Sequence, residues 1–247
     1  MSKVNILGVY VDKYSIDEAT EKIIGYLKNG DRKRCVYTPN SEIIMMAYKD
    51  SEFRSVLNNA DMLTADGIGV VYASKILSNP IKSRAAGYDI ACGALAKMAP
   101  LGMSVYLFGA KPGVAETAAE NLCKKYPGIK IAGCQDGYFD DEKEQEIIAD
   151  INDKKPDMLF VCLGAPKQEL WIDKHKNELD FGVVMGIGGS LDVFAGTVKR
   201  APAFYQKFGI EWLYRLCKQP SRAGRMLELP KFGLTVLFNG RKFKQER

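Results

Sequence analysis

The chain has 247 residues, 47% of them hydrophobic, which suffices for one large domain or one domain with an appendage. No uncharged apolar run reaches the roughly 18 residues a membrane span needs, and no signal-peptide hydrophobic segment follows Met1-Ser2-Lys3, so a cytoplasmic protein is expected. The formal charge of +5 is uneven: Lys199 to Arg247 holds 12 Lys/Arg against 3 Asp/Glu, and the rest holds 23 against 27.

Val4 to Tyr10 predicts a strand, and Ser15-Ile16-Asp17-Glu18 is a capping box that opens a helix ending near Asn29-Gly30. Cys35 to Thr38 predicts a second strand closed by Pro39-Asn40. Two short helices follow, Ser41 to Tyr48 and Ser51 to Asn58. Met62 to Ala65 predicts a strand that stops at Asp66-Gly67, then a helix over Ile68 to Leu77. The polar loop Arg84 to Asp89 precedes another helix, to about Met98.

The second half is more regular. Ser104 to Phe108, Ile129 to Ala132, Met158 to Leu163 and Phe181 to Gly186 predict strands, with helices between them over Val114 to Lys125, Asp141 to Asp153 and Lys167 to Lys176. Gly164-Ala165-Pro166 predicts a tight turn, with Pro166 tolerated in the first helical turn because its N–H would have no partner there. This alternation predicts an α/β fold: a Rossmann-like, mostly parallel sheet with helices on both faces. Beyond Arg200-Ala201-Pro202 the pattern is helical only: Phe204 to Leu216, a break at Pro220, Ser221 to Leu229, a break at Pro230, and Lys231 to Lys244. We therefore divide the chain into a sheet domain, 1–200, and a basic helical appendage, 201–247, and expect the sheet domain to fold without the appendage. Such a tail suits an anionic partner (phosphate, a membrane surface or nucleic acid) or serves only solubility.

Several chemistries are unsupported. The cysteines at 35, 92, 123, 134, 162 and 217 include no Cys-x-x-Cys and predict reduced core thiols. The single histidine, His175, has charged neighbours and predicts a surface residue. There is no phosphate-loop signature of the Gly-x-x-x-x-Gly-Lys-Ser/Thr kind and no Asp-x-Asp, and Gly186-Ile187-Gly188-Gly189-Ser190-Leu191 only approximates a dinucleotide fingerprint. What remains are polar residues at strand ends, which converge on one edge of a parallel sheet: Thr38, Asn40, Asp66, Gln168, Ser190 and Asp192. Asp66 reads either as the cap of the helix starting at Ile68 or as a general base. Gly109, Gly137, Gly188 and Gly189 permit close backbone approach to a phosphate and are equally well ordinary turns. Arg222 and Arg225 share a helix face, with Arg215 one segment earlier. Their guanidinium groups suit phosphate oxygens, or simply a solvated face.

Taken together, Thr38-Pro39-Asn40, Ala65-Asp66-Gly67, Arg84 to Asp89, Gly137-Tyr138-Phe139, Gly164 to Glu169, Gly186 to Asp192, Arg200-Ala201-Pro202, Glu211-Trp212, Arg215, Pro220, Arg222 and Arg225 resemble, in order and nearly end to end, the WecG/TagA/CpsF glycosyltransferases. The likeness is to the branch that adds N-acetylmannosamine in teichoic acid synthesis. Two departures are Leu191, where the family usually has Phe, and Gln219, where Glu commonly precedes the Pro. The resemblance implies metal-independent, inverting transfer from a UDP-sugar to N-acetylglucosamine on undecaprenyl diphosphate, with no cofactor and no nucleic acid. It implies Asp66 as base, Thr38 as its neighbour holding the sugar, and Asn40, Arg84, Gln168, Tyr138, Gly109, Gly188, Gly189 and Asp192 around the substrate. Arg215, Arg222 and Arg225 become the clamp on the lipid diphosphate. The protein is then expected at the inner face of the plasma membrane, and self-associated. The alternatives are the same chemistry with another donor (glucose, glucuronate or N-acetylmannosaminuronate) or a non-catalytic nucleotide sensor that docks on the membrane.

Overall fold

Strands that are apolar on both faces need cover on both faces, and the computed structural model, which describes residues 3–202, 204–205, 211–218 and 228–245, shows that cover. Among these residues there are eight strands. β1 (Lys3–Ile6) and β2 (Val9–Asp12) form an antiparallel hairpin. The other six, β3 (Arg34–Tyr37), β4 (Met62–Leu63), β5 (Ser104–Gly109), β6 (Lys130–Gln135), β7 (Met158–Cys162) and β8 (Val183–Gly186), make one sheet in the order β4-β3-β8-β7-β5-β6. All of its neighbouring pairs are parallel.

Side chains alternate between the two faces with the strand period of two. Cys35, Tyr37, Tyr106, Phe108, Leu159 and Val161 face one core. That core is covered by α2 (Ser41–Lys49), α3 (Ser51–Asn58), α4 (Ile68–Ile76), α7 (Asp141–Lys154) and α8 (Lys167–His175). Val36, Val105, Leu107, Met158 and Phe160 face the other, covered by α1 (Ile16–Lys28), α5 (Gly87–Met98), α6 (Val114–Lys125) and the short α9 (Ser190–Phe194). The α/β architecture expected from the sequence is thus present. The capping box of α1 is complete: Glu18 N–H donates to Ser15 Oγ, and Ser15 N–H donates to Glu18 Oε2.

Four readings of the sequence are corrected. The single strand expected over Val4 to Tyr10 is the β1–β2 hairpin, because Leu7 and Gly8 both take positive φ (54° and 92°) and reverse the chain. Pro230 does not break a helix. It lies in the first turn of the Glu228–Asn239 helix, where a missing N–H costs nothing. The cysteines are not all core thiols: Cys123 and Cys217 are exposed. His175 is buried at 2% exposure, because its position four residues after Trp171 puts it on the inner face of α8, against the indole ring.

That cluster braces α7 against α8. Trp171 Nε1 and Lys174 Nζ donate to Glu144 at 2.9 and 2.8 Å, and His175 lies between Glu144 and Glu178. Burial would raise the Glu144 carboxyl, but Lys174, His175 and Trp171 outweigh it and the net shift is downward. A depressed carboxyl contributes stability above its unfolded-state pKa and loses it as pH falls through the folded value. Glu144→Gln is therefore expected to cost about 1–3 kcal/mol at neutral pH. In urea titrations of both proteins the difference should shrink on acidification below the ordinary carboxyl range.

The appendage is anchored. Phe232 and Val236, on the Glu228–Asn239 helix, are buried in the same core as α2 and α4. The 3₁₀ turn that follows, Gly240–Gln245, reaches the hairpin, where Asn5 Nδ2 donates to the Phe243 carbonyl at 2.8 Å. This packing joins the last helix to the core of the sheet domain.

Candidate active site

The loops after β3, β4, β5, β6, β7 and β8 all emerge at the carboxyl edge of the sheet, and most of the candidate residues lie there. Asp66 follows β4 in a segment held by backbone bonds: its N–H donates to the Pro39 carbonyl at 3.1 Å, and Ala85 N–H donates to the Ala65 carbonyl at 2.9 Å. The cap of α4 is Gly67, at φ 98°, with no side-chain bond. The Asp66 carboxylate instead accepts from Gly87 N–H, the first residue of α5, at 3.5 Å. It faces the positive end of a twelve-residue helix that no side chain of its own caps.

Thr38 joins this group. Its hydroxyl donates to the Gly186 carbonyl at 3.5 Å and lies so close to Gly87 that a Cβ there would sit 2.6 Å from Oγ1. Thr38, Asp66 and Gly87 therefore meet at one point. Asn40 caps α2, accepting from Ile43 N–H at 3.0 Å. Arg84 is paired with Glu211 at 2.9 Å and lies 3.7 Å from Asp89, which in turn binds Arg200 at 2.6 Å. Glu211 opens the Glu211–Lys218 helix of the appendage, so this ion pair ties that helix to the acidic end of the site.

Gln168 is buried beneath the glycine-rich loop. Its Oε1 accepts from Gly188 N–H at 3.1 Å, and its amide abuts Gly186 so closely that a Cβ there would lie 2.9 Å from Nε2. Gly188 has φ 53° and faces open space; Gly189 lies beside Asp192. Gly109 is explained by packing, since a Cβ would lie 2.5 Å from the Cys162 carbonyl across the β5–β7 pair.

Between the loops after β5, β6 and β7 lies a cavity of about 550 Å³, lined by Lys111, Tyr138, Phe139, Leu163, Lys167 and Asp192 among others. That is the size of a nucleotide-scale site. Tyr138 is 67% exposed at its mouth, and Lys167 Nζ sits 4.4 Å over the Phe139 ring. Asp66 and Thr38 do not line this cavity. Thr38 meets Gly186, where the loop that Gln168 holds begins. Lys111 was not among the residues singled out from the sequence, although its position inside the Gly109–Gly113 turn was a signal. Lys167 stands at the start of α8. The backbone of Arg215 lies in the Glu211–Lys218 helix, and Arg222 and Arg225 lie outside the described residues. No three His, Cys, Asp or Glu side chains gather as a metal-ligand set among the described residues.

The model of the glycosyl transferase WecG/TagA/CpsF family matches residues 4–246. The chain belongs to this family. It is accordingly a glycosyltransferase. Among its relatives in the family is a protein of Bacillus spizizenii, 43% identical over 203 residues, covering 82% of this chain and 78% of the relative. One from Bacillus subtilis is 38% identical over 228 residues, with 92% and 84% covered. One from Staphylococcus aureus is 38% identical over 248 residues, with 100% and 96% covered. Each of the three is named N-acetylglucosaminyldiphosphoundecaprenol N-acetyl-beta-D-mannosaminyltransferase. No helix among the described residues of this family member is long and apolar enough to cross a membrane.

Proposed function

We propose that the protein transfers N-acetylmannosamine from UDP-N-acetylmannosamine to N-acetylglucosaminyl-diphospho-undecaprenol, forming a β-1,4 bond with inversion and without a metal, in the synthesis of the teichoic acid linkage unit. The observation that carries this reading is the pairing, on one sheet edge, of a carboxylate with a nucleotide-sized cavity that holds two lysines. The shared name of the relatives directs it to this sugar and this acceptor.

In this reading Asp66 removes the proton from the acceptor hydroxyl as that oxygen attacks the anomeric carbon, and Thr38 orients the sugar. UDP leaves from the opposite side of that carbon. Its diphosphate charge is met by Lys111, Lys167 and loop N–H groups, such as those of the Gly188-Gly189 turn, and Tyr138 offers a face to the base. Asn40, Arg84, Gln168 and Asp192 complete the surroundings. Arg215, Arg222 and Arg225 hold the lipid diphosphate. The basic tail, with Leu234, Leu237 and Phe238 exposed on its last helix, holds the enzyme to the membrane face, at about 1 kcal/mol per basic residue near an anionic surface.

The test is release of UDP from a panel of UDP-sugars in the presence of a short-chain lipid-linked N-acetylglucosamine. Release confined to UDP-N-acetylmannosamine is the expected result. Release from a different donor would move the reading to another polysaccharide. Binding of UDP with no turnover on any acceptor would make the protein a sensor.

A further inference from the structure

Among the described residues three carboxylates are buried to less than a tenth of their exposed area, and one of these three has no cation in an ion pair with it. Asp12 has Lys3 at 3.6 Å, and Glu144 has Lys174 at 2.8 Å. Glu169, on the first turn of α8, is 1% exposed, and among the described residues no ion pair reaches it. Its Oε1 accepts from Gln168 Nε2 at 2.7 Å, and its Oε2 has no hydrogen-bond partner. An ionised carboxylate placed so would be among the costliest groups in the fold, because neutral N–H donors replace only part of the water it gave up.

Among the described residues, no element packed against α8 brings a cation into an ion pair with Glu169. β8, packed against α8, contributes only Val183, Val184, Met185 and Gly186. α3, packed against its other side, carries Glu52, which is exposed, and Arg54, whose guanidinium donates to the Ala47 carbonyl. On α8 itself Lys167 lies over Phe139 and Lys174 holds Glu144. Tyr37 on β3, the buried ionisable neighbour, has its hydroxyl pushed up by burial, by Cys35 and by Glu169. Burial likewise pushes the Glu169 carboxyl up, with only partial relief from Gln168.

The amide that Glu169 holds is the one that holds the glycine-rich loop. Gln168 Nε2 is spent on Glu169, which turns Gln168 Oε1 toward Gly188 N–H at 3.1 Å. A side-chain amide can be flipped end for end at little cost unless both ends are engaged. We propose that Glu169 is a positioning residue held as the neutral acid: it fixes the orientation of the Gln168 amide, and through it the Gly186–Gly189 loop beside the substrate cavity. The loop's service to a nucleotide rests on the function proposed above; the protonation of Glu169 and its hold on the loop do not.

Two measurements on the full chain test this without substrate. Infrared difference spectra of wild type against Glu169→Gln, at about pH 8, should show a protonated-carboxyl C=O stretch in the wild type alone, since an ordinary Glu is fully ionised there. Amide hydrogen exchange at Gly188 should stay near wild type in Glu169→Gln, which keeps a neutral acceptor for Gln168. In Glu169→Ala it should speed up about tenfold, the scale of one lost hydrogen bond. The pH dependence has a fixed sign. A carboxyl raised in the folded state contributes stability at low pH that is lost as pH rises. Wild type should therefore lose more melting temperature than Glu169→Gln as pH rises above the ordinary carboxyl range. Absence of the infrared band, or exchange in Glu169→Gln as fast as in Glu169→Ala, overturns the proposal even if the alanine variant proves too unstable to study. UDP affinity, measured alongside, reads the function separately: a wild type that shows the band and the protected loop but binds no UDP sinks the nucleotide reading and leaves this one standing.

Discussion

Asp66→Asn is expected to lower turnover about 10²- to 10⁴-fold, the usual contribution of a positioned general base, while leaving melting temperature and UDP affinity close to wild type. The two halves of this expectation have separate causes. Stability is spared because the segment is held by backbone bonds at Asp66, Thr64 and Ala85, none of which uses the side chain. The bond that the carboxylate accepts from Gly87 N–H is also retained, since an Asn carbonyl accepts there as well. Turnover falls because an amide cannot take the proton of the attacking hydroxyl. Steady-state kinetics should show the loss in kcat with little change in KM for the donor. A variant that turns over normally would reduce Asp66 to a brace for the first turn of α5, and the base would have to be sought elsewhere along the edge.

The largest effect on stability is expected far from that edge. Phe232→Ala should cost about 3–5 kcal/mol, the range for emptying a buried aromatic site. Phe232 is 2% exposed and shares one core with α2 and α4, with Val236 a turn later beside it. Phe238, at 76% exposure on the same helix, is the control, and its replacement by Ala should stay within about 0.5 kcal/mol. A chain ended after residue 227 loses Phe232 and Val236 together and exposes the surface of α2 and α4 that they cover. It should unfold at markedly lower urea concentration than the full chain. Coincident unfolding curves would show that the helix adds nothing to the core. Loss of activity on truncating the tail must accordingly be read beside a stability measurement, because a weakened fold and a lost membrane contact would both produce it.

The sheet was legible because its strands are short continuous apolar runs spaced by amphipathic helices, a pattern that few other folds produce. Thr38 and Asp66 were legible for the same reason: each is the first polar residue after such a run. Other features were hidden by context. Nothing about Leu7 announces positive φ, so the hairpin looked like one strand. His175 was judged by the charges beside it in sequence, whereas its helical neighbours Trp171 and Ile172 decide its burial. Pro230 was read as a break because its distance from the helix start could not be counted without knowing where that start was. Lys111 gains its interest only when three loops close around one cavity. Glu169 carries no sign in the sequence of how deeply it is buried.

The stitch between Asn5 and the carbonyl of Phe243 joins residues at opposite extremes of the chain. A nascent polypeptide therefore cannot close this structure while residues 232–243 are still inside the ribosomal tunnel. Until they emerge, the apolar faces of α2 and α4 wait uncovered, and a chaperone or the membrane surface has its opportunity to engage them. Closure of this core thus waits on a helix made long after the ones it covers.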